Sequence, residues 1–258
     1  MSRLPLAGMG ILITRPRPLS ASLAEGVAAL GGTPVIFPAV EIAPPADPAL
    51  LERRIDQLPG AGLAIFISPT AVAQALPKIL ARHGQWPAGP RLAAVGQGTA
   101  RALREGGVGP ALSHPDGADS EHLLLLPELQ SVAGSRVVIF RGEGGRELLG
   151  HTLVERGARV EYAECYRRLP PVDDPEPLLA RWRGGGIQAV TVTSAELLAN
   201  LFQSLGQAGA ELLRSTSLFV PHARIAQAAR ERGVEDVTVT APGDAGLLAG
   251  LRERYTHV

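Results

Sequence analysis

The chain has 258 residues, of which 45% are hydrophobic and 4% aromatic, with 30 glycines and 22 prolines. This composition excludes a disordered or fibrous protein and indicates a packed globular chain that is long enough for two domains. Basic and acidic residues number 25 each, so no overall charge attracts nucleic acid or an anionic membrane, and we expect neither as a partner.

The cysteine and histidine content limits the possible metal sites and cell compartments. Cys165 is the single cysteine, which excludes an intramolecular disulfide and fits a reducing compartment. The 6 histidines show no metal-ligand spacing, so we expect no metal. The apolar stretch before Arg15 is too short for a signal peptide or a membrane span. We therefore expect a cytoplasmic protein without a membrane anchor.

Short apolar runs typical of strands alternate with stretches typical of helices. The predicted strands are residues 10–14, 34–37, 63–67, 92–95 and 137–140, and the predicted helices are 19–30, 71–76, 99–105 and 147–155. Such alternation predicts βαβ units with parallel sheets, which is the α/β class. Glycine pairs follow two of the predicted helices, at Gly31 and Gly106, where a left-handed residue is common.

The chain also resembles itself. GILITRPRPLSASLAEGVAALGGTPVIFPAV, residues 10–40, is similar to RVVIFRGEGGRELLGHTLVERGARVEYAECY, residues 136–166. Ser68 and Ser194 lie 126 positions apart in two further similar segments, and so do Gly107 and Gly233. The repetition predicts two similar parallel-sheet lobes with flanking helices, produced by an internal duplication.

Two proline-rich segments separate the similar blocks. PAVEIAPP (38–45) and ECYRRLPP (164–171) each end in a proline pair, and proline favours extended backbone for itself and for the residue before it. We predict two extended linker strands at about 38–45 and 161–171. Lobe 1 would then comprise residues 1–37 and 169–258, and lobe 2 residues 41–164. A plain division into an N-terminal and a C-terminal half is the alternative.

Small and polar residues follow several predicted strands. Open α/β sheets bind ligands beyond the carboxyl ends of their strands, so these loops are candidate anion sites. Ordinary capping of the next helix is the alternative for each loop taken alone. The loops are Thr14-Arg15-Pro16, Ser68-Pro69-Thr70, Arg141-Gly142-Glu143-Gly144-Gly145-Arg146 and Thr193-Ser194.

Other residues at strand ends carry weaker signals. Gly96-Gln97-Gly98 lacks the third glycine of a dinucleotide fingerprint, and RGEGGRELL is not a Walker A motif, which disfavours nucleotide binding. Tyr166 lies in the second predicted linker, where a phenol could donate a proton to a departing oxygen or simply pack at a lobe junction. His222 also follows a strand, as either a ligand contact or a surface loop residue.

Six segments together resemble the uroporphyrinogen-III synthases of bacteria. They are ILITRP, LGGTPVIFPAVEI, IFISPTAV, AAVGQGTARAL, FRGEGGRELL and ECYRRLPP, and they span almost the whole chain. Each motif is short, so their order and spacing carry the resemblance. It implies a bilobal fold in which the N-terminal βα unit joins the C-terminal lobe.

The resemblance also implies an activity without metal, flavin or nucleotide cofactors. Hydroxymethylbilane, a linear tetrapyrrole, would lose its hydroxyl to form an azafulvene on ring A and close through a spiro intermediate that inverts ring D. The enzyme would act mainly by orienting this flexible substrate in a cleft between the lobes. We expect a monomer that receives its substrate from hydroxymethylbilane synthase. A cytosolic bilobal binding protein for an anionic small molecule is the alternative, and a nucleotide-dependent α/β enzyme is a second.

The family's functional positions map onto residues of this chain. Tyr166 matches a linker tyrosine thought to assist departure of the hydroxyl, and Thr99 a threonine that faces the cleft. A second threonine of some members falls at Ile225, which has no hydroxyl. The other expected substrate-binding residues are Thr14, Arg15, Ser68, Arg141, Gly142, Gly144, Arg146, Ser194, His222 and Arg224, with arginine suited to pairing with carboxylates.

Overall fold

The structure is a computed structural model that describes residues 4–117, 119–171 and 173–256. Strands and helices alternate along the chain, and the predicted α/β class is confirmed. The strands are β1 (Gly10–Ile13), β2 (Thr33–Ile36), β3 (Glu41–Ala43), β4 (Leu63–Phe66), β5 (Arg91–Ala94), β6 (Arg136–Gly142), β7 (Arg159–Leu169), β8 (Ala189–Thr191), β9 (Ser217–Val220) and β10 (Val237–Val239).

The helices flank these strands. They are α1 (Ala21–Ala29), α2 (Pro48–Asp56), α3 (Pro69–His83), α4 (Gln97–Glu105), α5 (Ser120–Leu123), α6 (Pro127–Gln130), α7 (Leu148–Glu155), α8 (Glu176–Arg183), α9 (Ala195–Arg214), α10 (Ala223–Arg230) and α11 (Gly243–Tyr255). Helix α9 is interrupted at Gly206, whose φ of 61° is left-handed. Within the described ranges no helix is long and apolar enough to cross a membrane.

The chain divides into two compact units. Unit 1 comprises the residues up to Glu41 together with those from Leu169 onward, and unit 2 runs from Ile42 to Arg168. Unit 1 contains a five-stranded sheet in the order β10-β9-β8-β1-β2. Each of its strand pairs is parallel, and β1 lies between β2 and β8. The N-terminal strand is therefore a central strand of a sheet whose other members include the C-terminal strands.

Both faces of the sheet in unit 1 are covered, as is usual for a parallel sheet with helices on both sides. Side chains alternate along β1, so Ile11 and Ile13 pack in one apolar cluster with α1 and α11, while Leu12 packs in another. All three side chains are fully buried. The short GILI run therefore supplies core residues to two layers.

Unit 2 repeats this arrangement in a sheet of order β3-β7-β6-β4-β5. Strand β4 pairs in parallel with β5 and β6, and β6 pairs in parallel with β7. Phe66 and Phe140 stack on neighbouring strands with ring centroids 4.6 Å apart. Leu63 and Ile65 point into the opposite cluster from Phe66, so this sheet is also covered on both faces.

Four strands of each sheet follow the same order when corresponding elements are compared, and these are β9-β8-β1-β2 in unit 1 and β5-β4-β6-β7 in unit 2. The segments 10–40 and 136–166 both form strand, helix and strand, as β1-α1-β2 and β6-α7-β7. In unit 1, β8 and then β9 lie beside β1. In unit 2, β4 and then β5 lie beside β6. The sequence similarity between the segments therefore corresponds to equivalent positions in the two sheets.

Candidate active site

The carboxyl ends of the strands of unit 1 lie at one edge of its sheet. Ile13 pairs with Thr191, and Thr191 pairs with Phe219, so β1, β8 and β9 end at nearly the same level. The loops that follow begin at Thr14, Val192 and Pro221. The predicted residues Thr14, Arg15, Ser194, His222 and Arg224 therefore belong to one edge, which is where ligands bind in open α/β sheets.

Thr14 is fully buried, and its hydroxyl is used within the sheet. The Thr14 Oγ1 donates to the carbonyl oxygen of Thr191 at 2.9 Å, and the Thr191 hydroxyl donates to the carbonyl oxygen of Leu12 at 3.1 Å. These bonds tie β1 to β8 at the end of their ladder. The buried Thr14 side chain thus supports this edge of the sheet by joining β1 to β8.

Arg15 lies at this edge in an ion pair. Its guanidinium Nη2 lies 2.6 Å from the carboxylate of Asp244, in the first turn of α11. The Arg15 Nε is buried and has no hydrogen-bond partner among the described residues. A buried N–H without an acceptor is costly, so Arg15 carries one unsatisfied donor at this edge.

His222 and Arg224 are exposed at the beginning of α10. His222 occupies the N-cap position of α10 but makes no side-chain capping bond. Arg224 makes no ion pair within residues 4–117, 119–171 and 173–256. A guanidinium beside a helix N-terminus forms a positive region that suits a carboxylate.

Ser68 and Ser194 cap equivalent helices in the two units. The Ser68 Oγ accepts from the Ala71 N–H, and the Ser194 Oγ accepts from the Leu197 N–H, both at 3.1 Å. Their backbones are extended, with φ of −160° and −152°. The capping alternative considered from the sequence is therefore present at both serines.

The carboxyl ends of unit 2 also meet at one edge. Phe66 pairs with Ala94 on one side and with Phe140 on the other, so the loop residues Ser68 and Gly96 lie at the same level as Gly142, the last residue of β6. The ladder between β6 and β7 shifts register between Arg141 and Gly142. Such a bulge bends the strand locally and changes where the following side chains point.

Tyr166 lies at this edge, opposite Gly142 on the neighbouring strand. Its hydroxyl oxygen is 3.3 Å from the Ser68 Oγ, and its ring is almost completely buried, with 1% exposure. The Tyr166 carbonyl accepts from the Glu143 N–H at 2.8 Å. A Cβ at Gly142 would lie 2.7 Å from the Tyr166 Cζ, so the ring occupies space that a side chain there would fill.

Arg141 is buried, and its guanidinium is fully engaged inside unit 2. It donates to the Gly142 carbonyl at 3.2 Å, to the Glu147 carboxylate at 3.0 Å and to the Gly144 carbonyl, and it lies over the ring of Tyr162. Hence Arg141 holds the loop 142–147 in a fixed path. Gly144 turns that loop with a φ of 68°.

Glu147 connects this loop to β7. Its carboxylate accepts from the Tyr162 hydroxyl at 2.7 Å, and this bond, followed by the bond from Arg141, lowers the pKa of Glu147 below its ordinary value. Burial, followed by the bond to Glu147, raises the pKa of Tyr162. Arg146, next to Glu147, is exposed and paired with Glu121. Sequence reasoning missed Glu147 and Tyr162, because nothing in a linear pattern indicates that they meet.

Thr99 and Ile225 are both core residues. Thr99 is 2% exposed in α4, and its hydroxyl makes no hydrogen bond to any described residue. Ile225 is 5% exposed in α10 and packs in the larger apolar cluster of unit 1. Isoleucine, which has no hydroxyl, therefore suits the apolar surroundings of position 225.

Cys165 packs in the core beside Tyr166. Its Sγ lies 3.1 Å from the Arg141 carbonyl oxygen, and burial raises its pKa to about 12. A thiol with such a pKa is inert as a nucleophile. Across the ranges that the structure describes, no three His, Cys, Asp or Glu side chains form a group that could hold a metal ion.

Comparison with known proteins gives a consistent result. A family model described as uroporphyrinogen-III synthase HemD matches residues 21–249. The uroporphyrinogen-III synthase of Salmonella typhimurium is 40% identical over 243 residues, covering 93% of this chain and 98% of that protein. The protein of the same name from Escherichia coli is 37% identical over 241 residues, with the same shares covered, 93% and 98%.

Solved structures show the same fold. A mutant uroporphyrinogen III synthase from Thermus thermophilus superimposes with a TM-score of 0.60 at 23% identity, covering 97% of this chain and 100% of that chain. A uroporphyrinogen-III synthetase from Helicobacter pylori gives a TM-score of 0.55 at 15% identity, covering 95% and 97%. At these identities the two structures bear on the fold alone.

Proposed function

The chain belongs to the uroporphyrinogen-III synthase family, and from that premise we propose that Tyr166 is its general acid and that loops at the carboxyl ends of its sheets bind the substrate. The chain is thus an enzyme that cyclises hydroxymethylbilane to uroporphyrinogen III, with loss of water and inversion of ring D. The binding protein considered from the sequence has no support from the family match.

The observation that carries the role of Tyr166 is its position. Its hydroxyl lies at the carboxyl-end edge of unit 2, 3.3 Å from Ser68, at the start of α3. A phenol at that edge can give its proton to the departing hydroxyl of the substrate, which then leaves as water. Once the hydroxyl has gone, ring closure is intrinsically easy, so the rest of the enzyme's task is orientation.

The acetate and propionate groups of the substrate need positive partners. Arg224 and Arg15 are best suited in unit 1, because Arg224 is exposed without an ion pair among the described residues and the Arg15 Nε has no acceptor there.

Arg146 is the exposed arginine of the loop in unit 2. Arg141 contributes indirectly, since its donors already hold that loop. The proposed set is completed by backbone N–H groups beside Ser68, Ser194, His222, Gly142 and Gly144. Thr14 supports the edge of unit 1 from inside the sheet, and Thr99 lies at the start of α4.

The same proposal covers the location, oligomeric state, substrate source and lobe boundaries of the enzyme. We propose that it is a cytoplasmic monomer and receives hydroxymethylbilane from the synthase that makes it. The two units would serve as lobes, with boundaries at 37, 41, 164 and 169 and with linkers at about 38–45 and 161–171. The division of the chain after Glu41 and after Arg168 supports these linkers.

The experiment that tests the function is separation of porphyrin isomers. Purified protein acts on freshly generated hydroxymethylbilane, and the oxidised products are resolved by chromatography. An excess of isomer III over the spontaneous isomer I is expected. Isomer I alone from a folded sample would contradict the assignment.

A further inference from the structure

Ser68 has two roles that meet at one oxygen atom. Its Oγ caps α3 by accepting from the Ala71 N–H at 3.1 Å, and the same atom lies 3.3 Å from the Tyr166 hydroxyl oxygen. Ser68 is half-buried, whereas Tyr166 is 1% exposed. In the described part of the chain, Ser68 is the one hydrogen-bond partner of the Tyr166 hydroxyl.

The geometry points to Ser68 as a positioning residue that donates its hydroxyl proton to the Tyr166 oxygen and so directs the Tyr166 proton towards the substrate. The serine oxygen accepts from Ala71, which leaves its own O–H free to donate. A phenol oxygen that accepts one hydrogen bond keeps its proton for a second partner. This inference rests on the proposed role of Tyr166 as general acid.

The proton transfer balances without any further reactant. The C–O bond of the substrate breaks with its electron pair on oxygen, that oxygen takes the Tyr166 proton, and water leaves. The pyrrole nitrogen of ring A supplies the electrons that form the azafulvene cation. Ring D loses a proton when the macrocycle closes, and that proton restores the phenol of Tyr166.

A donor to the Tyr166 oxygen matters most while that oxygen carries negative charge. The Ser68 O–H would stabilise the phenolate, and the N–H groups at the start of α3 add a positive potential in the same direction. The remainder of Tyr166 is already fixed, because its ring packs against Gly142 and its carbonyl accepts from the Glu143 N–H. The direction of the hydroxyl is therefore the property that Ser68 controls.

A double-mutant cycle with Tyr166 tests this inference. Ser68→Ala is expected to lower the kcat for isomer III about 100-fold with little change in KM, as the loss of one donor to a developing oxyanion does. In a Tyr166→Phe background, Ser68→Ala is expected to change kcat by less than about twofold. A residue that only stabilised the fold would lower activity in both backgrounds.

Matched variants separate the cap from the hydroxyl. Ser68→Thr retains the hydroxyl and should restore most of the kcat, whereas Ser68→Gly retains most of the capping stability but should be as slow as Ser68→Ala. Asp47 caps α2 in the same unit by accepting from the Leu50 N–H at 2.8 Å. Asp47→Ala should lose a comparable amount of stability while kcat is unchanged.

Three outcomes would overturn the inference. If Ser68→Ala raises KM and leaves kcat unchanged, Ser68 binds a substrate carboxylate instead. If Ser68→Ala lowers kcat equally in both backgrounds, Ser68 does not act through Tyr166, while the role of Tyr166 itself stands. If Tyr166→Phe alone retains the normal kcat, both the proposed general acid and the inference fail.

Discussion

Thr99 and Ile225 occupy equivalent positions as the third residues of α4 and α10, and both are buried, with 2% and 5% exposure. Ile225 belongs to an apolar cluster, so a hydroxyl there would lack a partner. We predict that Ile225→Thr destabilises the protein by about 1–3 kcal/mol, the cost of an unsatisfied buried hydroxyl, without raising turnover. Urea denaturation measures the first effect and the isomer assay the second.

Ile225→Val is the control, because it shortens the side chain without adding a polar group. It should cost about 0.5–1.5 kcal/mol. A stable Ile225→Thr variant with increased kcat would show that a hydroxyl at this position takes part in the reaction.

Tyr166→Phe removes the proposed general acid and leaves the ring in place. We expect kcat for isomer III to fall about 100-fold or more, since general acids contribute at least that much. Near-ultraviolet circular dichroism checks that the fold is intact. Tyr255→Phe is the control, because the Tyr255 hydroxyl contacts only the Gln188 carbonyl, at 3.5 Å, among the described residues. Equal kcat for Tyr166→Phe and the wild type would remove Tyr166 from the mechanism.

Gly142→Ala tests the packing of Tyr166. The added Cβ would lie 2.7 Å from the Tyr166 Cε2 and Cζ, so the buried ring has to move. We expect a loss of about 1–3 kcal/mol in the free energy of unfolding, as for other overpacked cores, together with a lower kcat. Gly109→Ala is the control, because a Cβ at Gly109 meets nothing within 4 Å. Unchanged stability of Gly142→Ala would mean that the ring shifts without cost.

Glu147 is expected to make stability depend on pH in the acid range. The bond from Tyr162, followed by that from Arg141, lowers the pKa of Glu147 below 4.5, so the native state binds fewer protons than the unfolded state. The contribution of Glu147 to stability is complete above pH 4.5, its ordinary pKa, and is lost as the pH falls through the lowered pKa. Glu147→Gln should therefore be less stable at neutral pH, with the difference from the wild type shrinking in acid.

Denaturation midpoints of both proteins at stepwise lower pH measure this difference. Tyr162→Phe should bring the pKa of Glu147 closer to its ordinary value, because it removes the strongest cause of the shift. A stability difference between Glu147→Gln and the wild type that stays constant into acid would contradict the prediction.

Arg224 is the arginine whose removal should affect substrate binding most clearly. We expect Arg224→Ala to raise KM about tenfold with little change in kcat, which corresponds to the loss of one charged hydrogen bond. Arg230, at the other end of α10, is the control, and Arg230→Ala should leave KM unchanged. A normal KM for Arg224→Ala would mean that this exposed guanidinium does not touch the substrate.

The elements of the sheets were predictable because their signals are local. Four-residue apolar runs such as GILI and LAIF correspond to β1 and β4, and the repeat of 126 positions places Ser68 and Ser194 at equivalent helix starts. The predicted helix 71–76 is longer in the structure, from Pro69 to His83, because the cap at Ser68 starts it earlier and it continues through Pro77. Local patterns are weakest at such boundaries.

The sequence by itself determined the α/β class, the duplication, the family and the loops at strand ends, since each depends on residues close together in the chain or on their order. Only the tertiary structure decided which side chains meet. Ser68 and Tyr166 are 98 positions apart, and their contact depends on the register of β4, β6 and β7 and on the shift at Gly142. Tertiary packing also buries Arg141 inside its loop in unit 2 and leaves Arg224 exposed in unit 1, because whether a charge is buried is settled by the elements around it.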